Sequence, residues 1–477
     1  MDSKHLSYFK NLLDDKGILT PDMDLSAYEI GARRDAGKAA LVLRPTDTPQ
    51  LSKIMAYSYE SKLHLIPQSG NTGLVGGSVP DESGTQIVLS LERMNSITEI
   101  DPINQSAHIG AGVRLSALNN ATAAHGLHLP IDVGSDPCIG GMVSTNTGGS
   151  RYLKYRGMRE HVMGIKAVLA DEHGTIIDVL IPLHKNNTGF DVKQLFIGSG
   201  GIFGIVTEVI VRLAPVMQQS AAALLIPTSI DDINVLLIEI EKRCGTYLSA
   251  FEGMSGNAIR AAFNHNPSLP SPFGADDIPD YAILLELGRT WKPRESELTL
   301  DEVLETLLSE LWDLDHSPLE NALLGNAEKL WHMRHSLSEG VQKSGKLYAF
   351  DISFKRGDIV RFKKHLEVQL AKHHPELTLC DFGHIGDGAV HSALVLDRDN
   401  PLANDVHYEQ ELRQWVNDMV VNEFGGSYSA EHGLGRKVQG AYNDYTPKQI
   451  KSLTRAIKSA IAPADIGTPA IVRKPLG

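Results

Sequence analysis

Up to Pro215 the chain alternates short, β-branched apolar runs with glycine-rich breaks: "ALVLRP", "LHLIPQSGNTGLVGG", "TQIVLSL" and "AHIGAGV". Such runs, bounded by Gly and Pro, read as strands. Between them "TPQLSKIMAYSYESK" repeats its apolar residues at helical spacing, so helices and strands share this region. From Met217 to about Gly425 the texture changes. Longer amphipathic segments ("DDINVLLIEIEKRC", "SELTLDEVLETLLSELWDL", "RGDIVRFKKHLEVQLAKH") alternate with strand-like runs ("YAILLEL", "LYAFDISF", "AVHSALVL"). That rhythm predicts an antiparallel sheet covered on one face by helices, and an α+β class overall. A glycine-rich stretch, "GGSYSAEHGLGRK", then leads to a short helix around "PKQIKSLTRAIKSAI".

Length and charge narrow the picture. At 477 residues the chain exceeds a single core, and the texture divides it into 1–215, 216–425 and a closing segment 426–477 that completes the site and returns to the first domain. The formal charge is −13, from 45 Lys+Arg against 58 Asp+Glu, and no basic cluster interrupts it. Nucleic acid is excluded as a partner on that ground. Cys138, Cys244 and Cys380 lie far apart, without metal or redox spacing, and fit a reducing compartment. The opening "MDSKHLSYFKNLLDDKGILTPD" lacks the apolar core of a leader, and no window is long enough for a membrane span, so the expectation is a cytoplasmic protein with no integral membrane segment.

Three glycine clusters fall before Pro215. "PQSGNTGLVGGSVP" follows a strand-like "LHLI" and carries Gly70, Gly73, Gly76 and Gly77 among small polar residues. Backbone N–H groups at such density can converge on an anion and let a planar ligand approach the main chain. "DVGSDPCIGGMVSTNTGGSRYLKYRG" and "LFIGSGGIFGIVTEVIVRL" supply the others. No P-loop is present, because "GARRDAGKA" has the wrong spacing and Ala39 after Lys38. Gly198, Gly200 and Gly204 imitate a dinucleotide fingerprint, but "IVTEVIVRL" reads as a strand where that motif needs a helix. A nicotinamide cofactor is therefore disfavoured, and three loops suggest one long ligand. Farther on, "GHIGDGAVH" holds His384 and His391 about a glycine-rich turn, a pattern open to two readings: metal ligands, or the ends of an ordinary hairpin.

The order of these motifs resembles the PCMH-type FAD-binding domain of the vanillyl-alcohol-oxidase flavoprotein superfamily. "FGHIGDGAVH" and "GGSYSAEHGLGR" further resemble the paired signatures of its FAD-dependent D-2-hydroxyacid dehydrogenases, the group containing D-lactate and D-2-hydroxyglutarate dehydrogenases. This resemblance implies a PCMH-type domain plus a substrate domain, and oxidation of a D-2-hydroxy acid to the 2-oxo acid by non-covalent FAD. A metal-independent flavin oxidase of the same fold, acting on an alcohol or sugar, is the rival reading.

The resemblance also implies the site. FAD would be contacted by Pro67, Ser69, Gly70, Asn71, Thr72, Gly73, Leu74, Val75, Gly76, Gly77 and Ser78 of the first loop. The second would add Val133, Gly134, Ser135, Ile139, Gly140, Gly141, Ser144, Asn146, Gly148 and Gly149, and the third Gly201, Gly204, Ile205 and Val206. His384, His391 and Glu431 would bind a divalent metal. Nitrogen and oxygen donors suit Zn2+, and three ligands leave a position for a substrate oxygen; manganese or iron is also compatible. His432 would be the catalytic base and also touch the substrate, Arg334 would grip the substrate carboxylate with its planar fork, and Ser338 would assist one helical turn later. Neighbours on a strand face opposite ways, so Glu431 and His432 can serve one site only where the backbone leaves strand geometry, which Gly433 and Gly435 favour. An electron-transfer flavoprotein or a quinone would accept the electrons, and a homodimer fits the group.

Two positions depart from the hydroxyglutarate pattern and one segment from the family's usual closing segment. Ala349 and Ala389 stand where a lysine and an asparagine are usual, and the closing "IGTPAIVRKP" from Ile466 is altered, so the identity of the acid and one flavin contact are left open.

Overall fold

The computed structural model describes residues 2–33, 35–273, 277–464 and 466–467. Most of the altered closing segment lies outside them. The chain divides into two compact units: 1–148 with 157–216 and 431–477, and 149–156 with 217–430. The first therefore recovers the chain's last stretch, and the second takes a short piece, 149–156, out of the first.

In the first unit, Ala39–Leu43 and Leu65–Gln68 flank Gln86–Ser90 in parallel, and Ile18–Leu19 adds an antiparallel strand. A second sheet is antiparallel throughout, in the order Ile97–Asp101, Ser106–Gly110, Gly204–Arg212, Val162–Leu169, Ile176–Val179. The run after "GSGGIFG" is thus a strand, as its β-branching predicts. The helix Thr48–Glu60 starts where Asp47 accepts the Gln50 N–H and a proline occupies the first turn. Its Leu51, Ile54 and Met55 recur at helical spacing and pack with Leu41, Leu65, Ile87 and Leu89 in one apolar core. Leu65 also bridges to Ile466, and the His64 ring meets the Gly467 carbonyl at 2.8 Å.

The second unit is one seven-stranded antiparallel sheet, ordered Leu319–Gly325, Gln219–Pro227, Tyr281–Arg289, Leu248–Ser255, Thr378–Gly383, Ala389–Leu396, Lys346–Ser353. Its helices cover both faces, which corrects the expectation of one. Ile283, Leu285 and Leu287 pack with residues from Ile233–Cys244, Leu300–Trp312 and Ile359–His373, whereas Ala282 and Leu284 pack with residues from Gly256–His265 and Ala327–Ser344. A strand buried on both faces must be apolar at successive positions, and "YAILLELGR" is buried throughout.

Two of the acids buried in that apolar interior lie on neighbouring central strands. Glu286, 1% exposed, accepts from Arg151 Nε (2.8 Å) and Nη2 (3.0 Å), Ser249 Oγ (2.6 Å) and Trp331 Nε1 (2.8 Å). Arg151 belongs to the borrowed segment 149–156, so that piece brings the counter-charge for a carboxylate buried in the sheet. The other acid is Glu252.

Candidate functional site

The first glycine loop is closed by its own polar side chains. Gln68 Nε2 donates to the carbonyls of Tyr28 and Ser78, and Ser78 Oγ donates to Asn71 Oδ1 at 2.9 Å. Asn71, held at φ 52°, also donates to the carbonyls of Ala27 and Ile30. Both ends of the loop are thus pinned; between them Gly70, Gly73 and Gly77 remain exposed or half-buried, and Val75 and Gly76 are buried.

The other loops join it within the same unit. Gly140 and Gly141 open the short helix Ile139–Thr145, whose Val143 and Ser144 carbonyls accept the Gly198 and Gly200 N–H groups. Arg159 ties this arrangement together, its backbone N–H donating to Asn146 Oδ1 and its guanidinium to Gln194 and the Ile197 carbonyl. Ile205 packs in the apolar core, and Gly149 opens the segment that joins the second unit. A Cβ on Gly141 would lie 2.8 Å from Ser69 Oγ, and one on Gly435 would lie 2.4 Å from the Val75 carbonyl. Four chain segments thus converge at a spacing that only bare main chain permits, which fits a large planar cofactor lying against backbone. Gly435→Val should push the 434–435 segment off Val75. Overpacking of this kind costs about 1–3 kcal/mol, so FAD should be retained about tenfold or more less tightly, read from the flavin-to-protein absorbance ratio after gel filtration.

Cys138 and Cys380 are buried thiols. Burial raises both, Cys380 to about 12, so neither is a ready thiolate.

In the second unit, Thr378–Gly383 and Ala389–Leu396 form the hairpin that "GHIGDGAVH" suggested. Gly383, at φ 142°, turns the chain out of the strand at His384. The His384 and His391 rings lie edge to face with centroids 5.3 Å apart. Each has a carboxylate at hand: Glu252 Oε1 is 2.8 Å from His384 Nδ1, and Asp351 Oδ1 is 3.6 Å from His391 Nδ1, from the strand position directly opposite. With Nδ1 of His384 committed to Glu252, Nε2 is the nitrogen that would ligate a metal. Two imidazoles with oxygen donors beside them fit a divalent ion of the zinc, manganese or iron kind.

Arg334 lies on Ala327–Ser344, buried, with its guanidinium 5.1 Å above the Phe382 ring. Nε and Nη2 donate to Glu252 Oε2 at 3.0 and 2.7 Å. The end of the fork formed by Nη1 and Nη2 is what can meet a substrate carboxylate. Ser338, a turn later, is exposed. Burial raises the Glu252 carboxyl, but the charges of His384 and Arg334 and their hydrogen bonds outweigh it and hold the group at about 2. Ala349 and Ala389 lie on strands Lys346–Ser353 and Ala389–Leu396 and supply no polar group.

Ser427 pairs with Ser353, and the Ala430 N–H donates to the Asp351 carbonyl at 3.0 Å, so the chain follows that strand until one residue before Glu431. There it leaves strand geometry. Gly433 has φ 75°, the departure that the tandem Glu431-His432 requires, whereas Gly435 is extended at φ −170°.

Glu252, Glu286 and Asp351 escaped the sequence reading. Their signal was available, since an acid inside an otherwise apolar strand must be matched by donors.

Comparison with known proteins identifies the family. The FAD binding domain family matches residues 39–179, and the C-terminal domain of FAD linked oxidases matches 217–471. The mitochondrial D-2-hydroxyglutarate dehydrogenase of Arabidopsis thaliana is 32% identical, over 98% of this chain and 81% of its own. The D-2-hydroxyglutarate–pyruvate transhydrogenase of Saccharomyces cerevisiae is 30% identical, over 94% and 90% respectively, and a putative mitochondrial D-lactate dehydrogenase of Schizosaccharomyces pombe is 32% identical, over 98% and 90%. Among solved structures, p-cresol methylhydroxylase shares the fold with a TM-score of 0.72 at 17% identity, covering 97% of this chain and 94% of its own. Alkyldihydroxyacetonephosphate synthase does so with a TM-score of 0.70 at 15%, covering 98% and 84%. Relatives named as mitochondrial overturn the cytoplasmic location expected above. No helix among the described residues is long and apolar enough to cross a membrane. Two family matches that together span most of the chain, and relatives aligned over nearly all of it, place the chain among the FAD-dependent D-2-hydroxyacid dehydrogenases of the vanillyl-alcohol-oxidase flavoprotein superfamily.

Proposed function

We propose that the chain oxidises a D-2-hydroxy acid of the D-2-hydroxyglutarate or D-lactate kind to the 2-oxo acid, with metal assistance. The observation that supports this most is the histidine pair at the two ends of one hairpin, each ring with a carboxylate beside it. His384, His391 and Glu431 would hold the metal, zinc by its donor set, which supplies Lewis acidity toward the substrate hydroxyl. FAD, held without a covalent bond, supplies a two-electron acceptor for the Cα hydrogen.

The protein's own groups do the rest. Arg334 takes the substrate carboxylate on the outer end of its fork and fixes which face of Cα is presented. His432 takes the hydroxyl proton on a ring nitrogen as the C–H bond breaks. The glycine loops let the main chain approach the cofactor and keep the oxidation in a fixed geometry. An electron-transfer flavoprotein or a quinone then collects the electrons. With Ala349 and Ala389 in place of a lysine and an asparagine, the far carboxylate of a glutarate-sized acid loses two partners, so shorter acids compete on better terms.

The test is anaerobic bleaching of the bound flavin by a panel of D- and L-2-hydroxy acids. The D-acids are expected to bleach it and their L-isomers to do so poorly. Equal rates for both isomers would refute the stereochemistry. Bleaching by alcohols or sugars alone, with peroxide released in air, would favour a metal-independent oxidase instead.

A further inference from the structure

A 2-hydroxy acid carries its hydroxyl and its carboxylate on adjoining carbons. An enzyme that grips both must therefore hold two of its own groups at a fixed spacing. In the second unit one buried side chain is placed to do this. Glu252, 1% exposed, lies on Leu248–Ser255, a strand buried along its whole length. Its two oxygens have separate duties: Oε2 accepts both Nε and Nη2 of Arg334, and Oε1 accepts from Nδ1 of His384. Arg334 comes from a helix packed over one face of the sheet, and His384 from the turn after Thr378–Gly383, the neighbouring strand. The carboxylate therefore joins a helix above the sheet to the turn at the end of an interior strand.

We propose that Glu252 is a positioning residue that holds the metal-ligating His384 and the carboxylate-gripping Arg334 in one fixed relation, and so matches the site to acids whose hydroxyl and carboxylate are adjacent. This rests on the roles given to those two residues above. A proton kept on Nδ1 by Glu252 directs the Nε2 lone pair outward as a ligand. The same carboxylate occupies the inner edge of the guanidinium and turns the outer end toward substrate. Glutamine at this position has a single acceptor oxygen, and its NH2 would face a donor, so it can satisfy one partner only.

The experiment compares wild type with Glu252→Gln as FAD holoproteins, every quantity expressed per bound FAD. Zinc affinity is measured without substrate, by competition with a chromophoric chelator, and KM and kcat with a D-2-hydroxy acid that wild type oxidises. Zinc binding is expected to weaken about 10–100-fold, the usual effect of removing a carboxylate behind a metal-ligating histidine. KM should rise about tenfold as Arg334 loses its charged partner. Saturating zinc should restore kcat while KM stays high. A purely structural role would instead lower the yield of FAD holoprotein while leaving the zinc affinity and KM of the folded fraction at wild-type values, and zinc would restore nothing. Zinc affinity or KM unchanged from wild type overturns the joint role, because Glu252 would then serve one partner alone. Glu252→Asp keeps the buried charge but is one methylene too short to span both groups, so it should move both quantities in the same directions, and it decides the matter if the glutamine variant does not accumulate. Wild type that binds no zinc or oxidises no hydroxy acid would overturn the parent reading, an outcome distinct from a silent variant of an active enzyme.

Discussion

Replacing His432 with alanine is expected to slow flavin reduction by about a hundredfold or more, the usual scale for losing a positioned general base. The change removes a proton acceptor and no assigned ligand. FAD and metal should therefore stay at wild-type levels, and single-turnover reduction under anaerobic conditions should show the loss directly. If the rate limit of wild type is product release, kcat will fall by less than the reduction rate, and the stopped-flow measurement remains the deciding one. Reduction at the wild-type rate would remove His432 from the chemistry.

Metal removal should have a comparable effect by a different route. Dialysis against a strong chelator is expected to abolish turnover while the protein stays yellow, and added zinc should restore it. Alanine at His384, His391 or Glu431 should lower metal content and turnover together, because each change takes one ligand from a set of three. The losses should exceed the roughly 10–100-fold typical of groups behind the ligands. A hairpin whose histidines serve only structure predicts the reverse: metal-free wild type, an indifferent chelator, and variants that lose stability first. Fully active, metal-free enzyme would refute the assignment.

Much of this site could be read along the chain because its parts are local. The turn between His384 and His391, the left-handed Gly433 beside the Glu431-His432 tandem, and the β-branching after Gly204 each act within a few residues. The partners of buried charge are another matter. Glu252 and Arg334 are separated by 82 residues and Glu286 and Arg151 by 135, and no periodicity links such positions. What the strands could have shown is that they are covered twice. "YAILLELGR" lacks the polar alternation of a half-exposed strand, and its lone glutamate had to find donors inside. The transfer of 149–156 to the second unit has no local signature at all, because it follows from where Glu286 needs a cation.

The contact between the strand at Leu65 and residues 466–467 bears on how the protein is made. Leu65–Gln68 is the outer strand of its sheet, and its bridge to Ile466 is backed by the His64 and Gly467 contact across 403 residues. On the ribosome, at about 5–20 residues per second, the first segment waits roughly 20–80 s for that partner to emerge. Throughout that interval a buried, apolar sheet edge stands open to other nascent chains. The demand for shielding of this edge during synthesis is thus set by a partner some 403 residues farther along the chain.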